Sequence, residues 1–102
     1  MSEAATSDEL YTLRRNYTPA FLAHLTRHDE GTLRSAYELG RQAMAAGLSM
    51  LDLVDVHHAV FSDVVLSARG VEELPDILEA ATAFLVEALA PFEMTRQPPL
   101  SS

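Results

Sequence analysis

The chain has 102 residues, of which 48% are hydrophobic and 22% are charged, a composition that suits one folded domain and excludes a second. It contains no cysteine, which rules out disulfides, thiolate nucleophiles and cysteine-based zinc sites. The net charge of -8 comes mainly from residues 49–102, where nine acids face two arginines. This surface would repel phosphate, so nucleic-acid binding is not expected.

Neither a signal peptide nor a membrane span is expected. Residues 1–9 lack a basic start followed by an apolar run, and no apolar stretch reaches the ~18 residues that a membrane helix requires. We therefore predict a cytoplasmic protein with no membrane partner.

Helical periodicity without alternating strand patterns predicts an all-α fold, namely a four-helix antiparallel bundle. Residues 1–6 are expected to form a flexible tail, residues 7–96 a single helical domain, and residues 97–102 an extended tail. The first helix is predicted over residues 7–27, after a capping box formed by Thr6 and Glu9. Within it, Pro19 lacks an amide proton and predicts a kink or a division into two helices in series.

The second helix is predicted over residues 30–46, with Asp29 or Glu30 at its positive end and Gly47 supplying a left-handed stop. A glycine inside a helix costs about 1 kcal/mol relative to alanine. The pattern Ala36-x-x-x-Gly40 therefore indicates that another backbone approaches this helix closely.

The third helix is predicted over residues 50–67, with Ser49 as its cap and Asp52 in the first turn. Its polar or small positions fall within about 100° of arc, whereas a surface helix needs an apolar stripe of only ~100°. We expect such a helix to be covered on two sides, at the centre of its bundle or against a second chain.

The fourth helix is predicted over residues 72–95, with Pro75 tolerated near its start. Its outer stripe changes character along its length, from Glu72, Asp76 and Glu79 to Ala83, Val86 and Ala90. Two interpretations remain open, because isolated apolar residues are ordinary on surfaces and a contiguous patch indicates docking.

The histidines have simple structural explanations beside more specific ones. His24 and His28 have the spacing of a metal pair, but a histidine at a helix end more often interacts with free carbonyls. His57 is expected to be buried and hydrogen-bonded, whereas a phosphorylated histidine must be exposed beside a basic group. No catalytic motif is present, so we predict neither enzyme activity nor a metal or cofactor.

Two stretches, AYELGRQAMAAGLSMLDLVDVHHAVF and FLVEALAPFEMT, resemble the N-terminal regulatory domain of RsbU-type phosphatases, a module also found in front of bacterial phosphatases and sensor kinases. The likeness covers residues 17–95. It implies a four-helix bundle that dimerises, captures a switch protein of the RsbT type and so activates the attached phosphatase. Family members continue into a catalytic domain, whereas here Pro98-Pro99 and the chain end follow, so we expect a fragment or a stand-alone relative.

The resemblance also suggests two surfaces. A homodimer interface would use the excess apolar arc of the third helix, at Met50, Leu53, His57, Val60 and Val64. A switch-kinase-type partner would bind apolar and aromatic anchors with arginine at the rim, at Leu33, Arg34, Tyr37, Val86 and Ala90.

The leading hypothesis is thus a non-catalytic regulatory domain of a bacterial stress-response or partner-switching pathway. One alternative is a small-molecule sensor that holds an apolar ligand between helices, beside Gly40 and Ala43. The other is a histidine-phosphotransfer bundle that uses His57 or His58.

Overall fold

The computed structural model describes the backbone of residues 2–96 and the side chains of residues 8–94. Helix α1 spans Ser2–Arg27, so it begins five residues before the predicted start, and the predicted tail is wrong over residues 2–6. The two alanines at positions 4 and 5 have the highest helix propensity, which favours the longer helix. The predicted tail over residues 97–102 lies outside the described residues.

Pro19 lies inside α1 without dividing it, so the expectation of two helices in series is wrong. Because Pro19 has no amide proton, the carbonyl four residues before it has no donor within the helix. Pro19 is exposed, so water can hydrogen-bond to that carbonyl. Tyr17 and Phe21 on the opposite side are both 0% exposed, and their burial holds the two halves of α1 on the same core.

Helix α2 spans Glu30–Ala45 and helix α3 spans Met50–Leu66, within one residue of the predicted bounds. The turn between them is the predicted stop, because Gly47 has a φ of 85°. The Leu48 amide donates to the Ala43 carbonyl and the Gly47 amide donates to the Met44 carbonyl, both at 3.0 Å. This is a Schellman motif, in which the buried Leu48 anchors the turn.

Both N-terminal caps are as the sequence indicates. The Asp29 carboxylate accepts from the Thr32 amide at 2.8 Å, and the Ser49 hydroxyl accepts from the Asp52 amide at 3.1 Å. In each case the third residue returns a bond to the cap amide, which makes both helix starts capping boxes.

A short 3₁₀ helix, Val71–Glu73, leads into helix α4, Leu74–Arg96. The four helices form a bundle around one core, and no strand occurs within residues 2–96. No helix in this part of the chain is long and apolar enough to cross a bilayer. The largest side chains with almost no exposed surface lie on α1, α3 and α4: Tyr17, Phe21, Leu53 and Phe84.

The most extensive interhelical contact joins α2 to α4, and Gly40 is its closest point. A Cβ atom at Gly40 would lie 2.0 Å from the Ala88 carbonyl oxygen and 3.1 Å from Cγ of Pro91. The neighbouring Ala36 and Ala88 are both 0% exposed. The close backbone approach predicted for Gly40 is therefore confirmed, and α4 is the helix that makes it.

Candidate docking surfaces of the bundle

The seam between α2 and α4 carries an open depression of about 370 Å³. Tyr37 crosses this seam, since its hydroxyl donates a weak bond to Sδ of Met94 at 3.7 Å. Arg41 borders the same depression from α2, and Pro91 borders it from α4. The depression thus combines an aromatic ring, a thioether and a guanidinium, a set enriched in protein interfaces.

The outer stripe of α4 leads directly to this depression. Val86 is 59% exposed and Met94 is 62% exposed, and Ala90 lies between them, one helical turn from each. Toward the start of α4, the exposed residues of the same stripe are acidic, at Asp76 and Glu79. The apolar half of the stripe is therefore a surface feature, and it continues across Met94 to Tyr37.

The structure assembles the predicted partner-binding residues only in part. Tyr37 borders the depression and contacts Met94, and Ala90 lies one turn before Met94 on α4. Leu33 lies one turn before Tyr37 and is half-buried. Arg34 instead lines a separate depression between α1 and α2. Arg41 is the arginine that borders the seam, and the sequence pattern missed both it and Met94. We name the surface formed by Tyr37, Arg41, Val86, Ala90 and Met94 the α2/α4 face.

The predicted dimer residues on α3 are mostly interior residues of the same chain. Leu53 is 0% exposed, Val60 is 2% exposed and His57 is 9% exposed, while Met50 and Val64 are partly buried against that core. These residues are predicted to form a homodimer interface, but Leu53, His57 and Val60 have almost no surface left to bury against a second chain. They are covered because α3 packs against both α1 and α4.

A different, mainly apolar stripe follows another side of α3. One of its members, Phe61, also packs against the core and stacks on His57, with ring centroids 5.9 Å apart. The members of the stripe recur with the spacing 3, 4, 3, 4 that places a and d residues on one side of a coiled-coil helix. Leu51 is 75% exposed and His58 is exposed, whereas the other three members are partly buried. We name this set the α3 outer stripe: Leu51, Val54, His58, Phe61 and Val65.

His57 belongs to an aromatic cluster inside the bundle. Its Nδ1 lies 2.8 Å from the Tyr17 hydroxyl, and its ring is edge-on to Phe21 with centroids 5.8 Å apart. Burial lowers the pKa of His57, and the nearby His58 lowers it further. Burial also raises the pKa of the Tyr17 phenol, so both groups are neutral near pH 7. The phenol donates to Nδ1 because this nitrogen is the acceptor within reach of its buried proton. The predicted buried, hydrogen-bonded His57 is confirmed.

A second buried histidine lies where α1 meets the start of α2. His24 is 3% exposed, and its Nδ1 lies 2.7 Å from the Thr32 hydroxyl. That hydroxyl donates its own proton to the Asp29 carbonyl at 2.7 Å, so His24 Nδ1 is the donor toward Thr32. Burial lowers the pKa of His24, with a further lowering by His28.

His28 stops α1 in the manner expected of a histidine at a helix end. It has a φ of 53°, and its Nε2 donates to the Leu25 carbonyl at 2.8 Å. The rings of His24 and His28 lie 5.3 Å apart between centroids, but each ring uses a nitrogen in a local hydrogen bond. The prediction that His28 interacts with free helix carbonyls is confirmed.

Of the sites expected for the two alternative functions, the ligand space beside Gly40 and an accessible His57 are absent, whereas His58 is accessible. The space predicted beside Gly40 is filled by the backbone of α4, and the depression beside Ala43 measures only about 110 Å³, against the ~300 Å³ or more of usual ligand pockets. His57 is too buried to receive a phosphoryl group. His58 is exposed and lies 3.5 Å from the Ser62 hydroxyl.

These features define a class, a small helical bundle domain with a packed interior and exposed apolar side chains on its surface. The family model described as the N-terminal domain of phosphoserine phosphatase RsbU matches residues 15–95, and the chain belongs to that family. It therefore represents the regulatory N-terminal domain of such phosphatases and not their catalytic domain. Neither a curated protein nor a solved structure matches the chain.

Proposed function

We propose that this chain is a docking module of a bacterial partner-switching pathway for the stress response. In this proposal it pairs with a second copy of itself and captures a switch-kinase-type protein on the α2/α4 face. Binding of this partner then regulates a phosphatase or kinase output domain. The chain acts by binding, without chemistry of its own.

The α2/α4 face is the observation that carries the proposal. Val86 and Met94 are large apolar side chains exposed on one stripe of α4. Tyr37 and Arg41 line the depression at the α2/α4 seam together with Met94. A few residues supply most of the binding energy in protein interfaces, and tyrosine and arginine are enriched among them. Methionine is also enriched in interfaces. Membership of a regulatory family supports assigning this face to a protein partner.

The α3 outer stripe supports pairing with a second copy. Its 3, 4, 3, 4 spacing allows two α3 helices to pack side by side, with the same residues facing one another across a two-fold axis. Leu51, at 75% exposure, has the most surface to bury. This stripe replaces Leu53, His57 and Val60, which the core of the chain already covers.

The self-pairing is tested by light scattering on the purified chain. We expect a dimer at tens of micromolar, and Val54→Glu should convert it to a monomer because a carboxylate cannot be buried unpaired in the contact. Val71→Glu is the matched control, since Val71 is 78% exposed outside the stripe. A strictly monomeric wild-type chain would refute the dimer.

Partner capture is tested by calorimetric titration with a switch kinase of the RsbT type from the same genome. Val86→Glu should weaken the affinity at least tenfold, which corresponds to about 1.4 kcal/mol, and should leave helicity unchanged. Val71→Glu again serves as the control and should bind like the wild type. An unchanged affinity of the Val86→Glu variant would remove α4 from the interface.

A further inference from the structure

The proposed function leaves one apolar groove unexplained, on the α1/α3 side of the bundle. It has a volume of about 500 Å³ and is bounded by α1, α3, the Ser67–Glu73 connection and the start of α4. Protein ligand sites span about 300–1,000 Å³, so the groove can receive several apolar side chains. It shares no lining residue with the depression of the α2/α4 face, and the inference drawn from it is independent of the proposed function.

The floor of this groove is apolar. Leu22 and Leu25 line it from α1, Val60 and Val64 line it from α3, and Ile77 lines it from α4. Leu22 is 46% exposed. It is not an isolated apolar residue on the surface, because it lines the groove together with the other floor residues. Leu25, Val64 and Ile77 are partly exposed, whereas Val60 is buried. Covering the exposed part of this floor with a second apolar surface gains free energy.

The rim of the groove is acidic. Asp63, Glu73 and Asp76 line it from three different elements, and none of the lining residues is basic. Arg14 reaches Asp63 at 3.5 Å, but this pair is exposed, with 53% and 70% of the two side chains accessible. Exposed pairs of this kind contribute about 0–1 kcal/mol, so the rim keeps most of its attraction for cations.

The shape of the groove favours a helix over an extended peptide. From Thr18 to Leu25, the lining part of α1 covers about 10 Å, or two helical turns. Extended peptides are usually bound at a free sheet edge or in an aromatic-lined groove, and this groove is formed by helices and its lining contains no aromatic residue. A helix satisfies its own backbone and can present residues i, i+3 or i+4, and i+7 to the floor.

We propose that this groove docks a basic amphipathic helix from a protein partner. The apolar face of that helix covers Leu22, Val64 and Ile77, and its flanking lysines or arginines lie against Asp63, Glu73 and Asp76. Charge complementarity selects this occupant, because the three carboxylates repel anionic lipid and nucleic acid.

A direct test uses a fluorescent 18-residue synthetic helix with leucines on one face and lysines elsewhere, titrated into the full chain with anisotropy as the readout. We expect saturable binding in the micromolar range that weakens with added salt. A scrambled peptide of the same composition should bind at least tenfold more weakly. Equal binding of the scrambled peptide, or no binding by 100 µM, would overturn the proposal.

Two matched pairs of variants locate the contact. Leu22→Ser should weaken binding at least tenfold, whereas Leu78→Ser, at a residue that is 54% exposed outside the groove, should leave it within twofold. Asp76→Asn should weaken binding three- to tenfold and reduce the salt dependence, whereas Asp55→Asn should do neither. Equal losses in both members of a pair would show non-specific attraction and refute the groove.

Amide chemical shifts provide a location that does not depend on mutation. On addition of the peptide, the perturbed signals should come from residues 18–25, 60–68 and 73–77. Perturbations concentrated on the α2/α4 face instead would overturn the proposal.

The same titration with dodecyltrimethylammonium below its micelle concentration tests a small cationic amphiphile. Binding of that amphiphile without binding of the peptide would also refute a helical occupant.

Discussion

The Tyr17 hydroxyl lies 2.8 Å from Nδ1 of His57, and this bond joins α1 to α3 across the centre of the bundle. Tyr17 is 0% exposed and His57 is 9% exposed, so water does not readily replace either partner. The two rings also meet edge-on, with centroids 5.9 Å apart. A polar bond between two helices thus lies inside a cluster of aromatic rings.

Removing the phenol oxygen should destabilise the fold. Tyr17→Phe keeps the ring but leaves the buried Nδ1 of His57 without a donor, which costs about 1–2 kcal/mol. Urea unfolding followed by circular dichroism measures the loss. Tyr11→Phe is the control, because Tyr11 is 64% exposed and should change stability by less than about 0.5 kcal/mol. Equal effects of the two substitutions would show that the bond contributes nothing.

Mild acid should lower the melting temperature. Burial lowers the pKa values of His24 and His57 from 6.5, so the unfolded chain binds more protons than the folded chain below that pH. The two neutral histidines therefore make their full contribution to the free energy of unfolding above pH 6.5. This contribution is lost as the pH falls toward their lowered pKa values in the folded chain. The pKa of Asp29 is lowered from 3.8, chiefly by its hydrogen bond from the Thr32 amide. Asp29 therefore stays ionised in mild acid, and its contribution to stability does not change over the pH range in which the histidines titrate.

Calorimetry at about pH 7.5 and pH 5.5 measures this effect, and two histidine variants assign it. His57→Gln should reduce the fall in melting temperature between the two pH values. His58→Gln should reduce the fall less than His57→Gln does, because burial lowers the pKa of His57 more than the nearby His58 does. A melting temperature that stays constant across this range would contradict the buried, neutral state of His24 and His57.

Adding a methyl group at Gly40 should separate α2 from α4. The new Cβ would lie 2.0 Å from the Ala88 carbonyl oxygen, and backbone atoms cannot move aside as a flexible side chain can. We expect Gly40→Ala to cost about 3 kcal/mol, the upper part of the range for overpacked cores. Thermal unfolding measures the loss.

Gly31→Ala is the matched control for this substitution. Its new Cβ would meet no atom closer than 3.4 Å, and alanine has the better helix propensity, so the variant should gain up to about 1 kcal/mol. If Gly40→Ala were as stable as Gly31→Ala, the close approach of the two helices would be disproved.

Loss of the α3 cap should have a moderate and local effect. Ser49→Ala removes the acceptor of the Asp52 amide, which lies 3.1 Å away, and N-cap substitutions of this type cost about 1 kcal/mol. Ser35→Ala, at an exposed site within α2, should be neutral or slightly stabilising. Chemical denaturation compares the two variants, and equal stabilities would mean that Ser49 does not act as a cap.

The sequence predicted most accurately those features that depend on local chemistry. Asp29, Ser49 and Gly47 define helix ends because their side chain or backbone freedom acts within a few residues. Gly40 identified a tertiary contact, since only a close approach compensates for glycine inside a helix. The first turn of α1 was missed because a capping box at Thr6 predicted that the helix begins there, whereas the alanines before Thr6 continue the helix to Ser2.

The choice between the two faces of α3 lay beyond the sequence. Leu53, Val60 and Val64 recur with helical spacing, and Leu51, Val54 and Phe61 do so on another side. Periodicity reports that both faces are apolar, but only packing against α1 and α4 determines which of them is interior. The contacts of Met94 and Arg41 depend likewise on how α2 and α4 cross.

The Thr32 hydroxyl serves two helices at once, because it completes the α2 cap at Asp29 and also accepts from His24 on α1. Breaking either bond exposes the other to water, so the last turn of α1 and the first turn of α2 open as one cooperative unit. In hydrogen exchange, the amides of His28, Thr32 and Leu33, which all bond within this junction, should share one opening free energy.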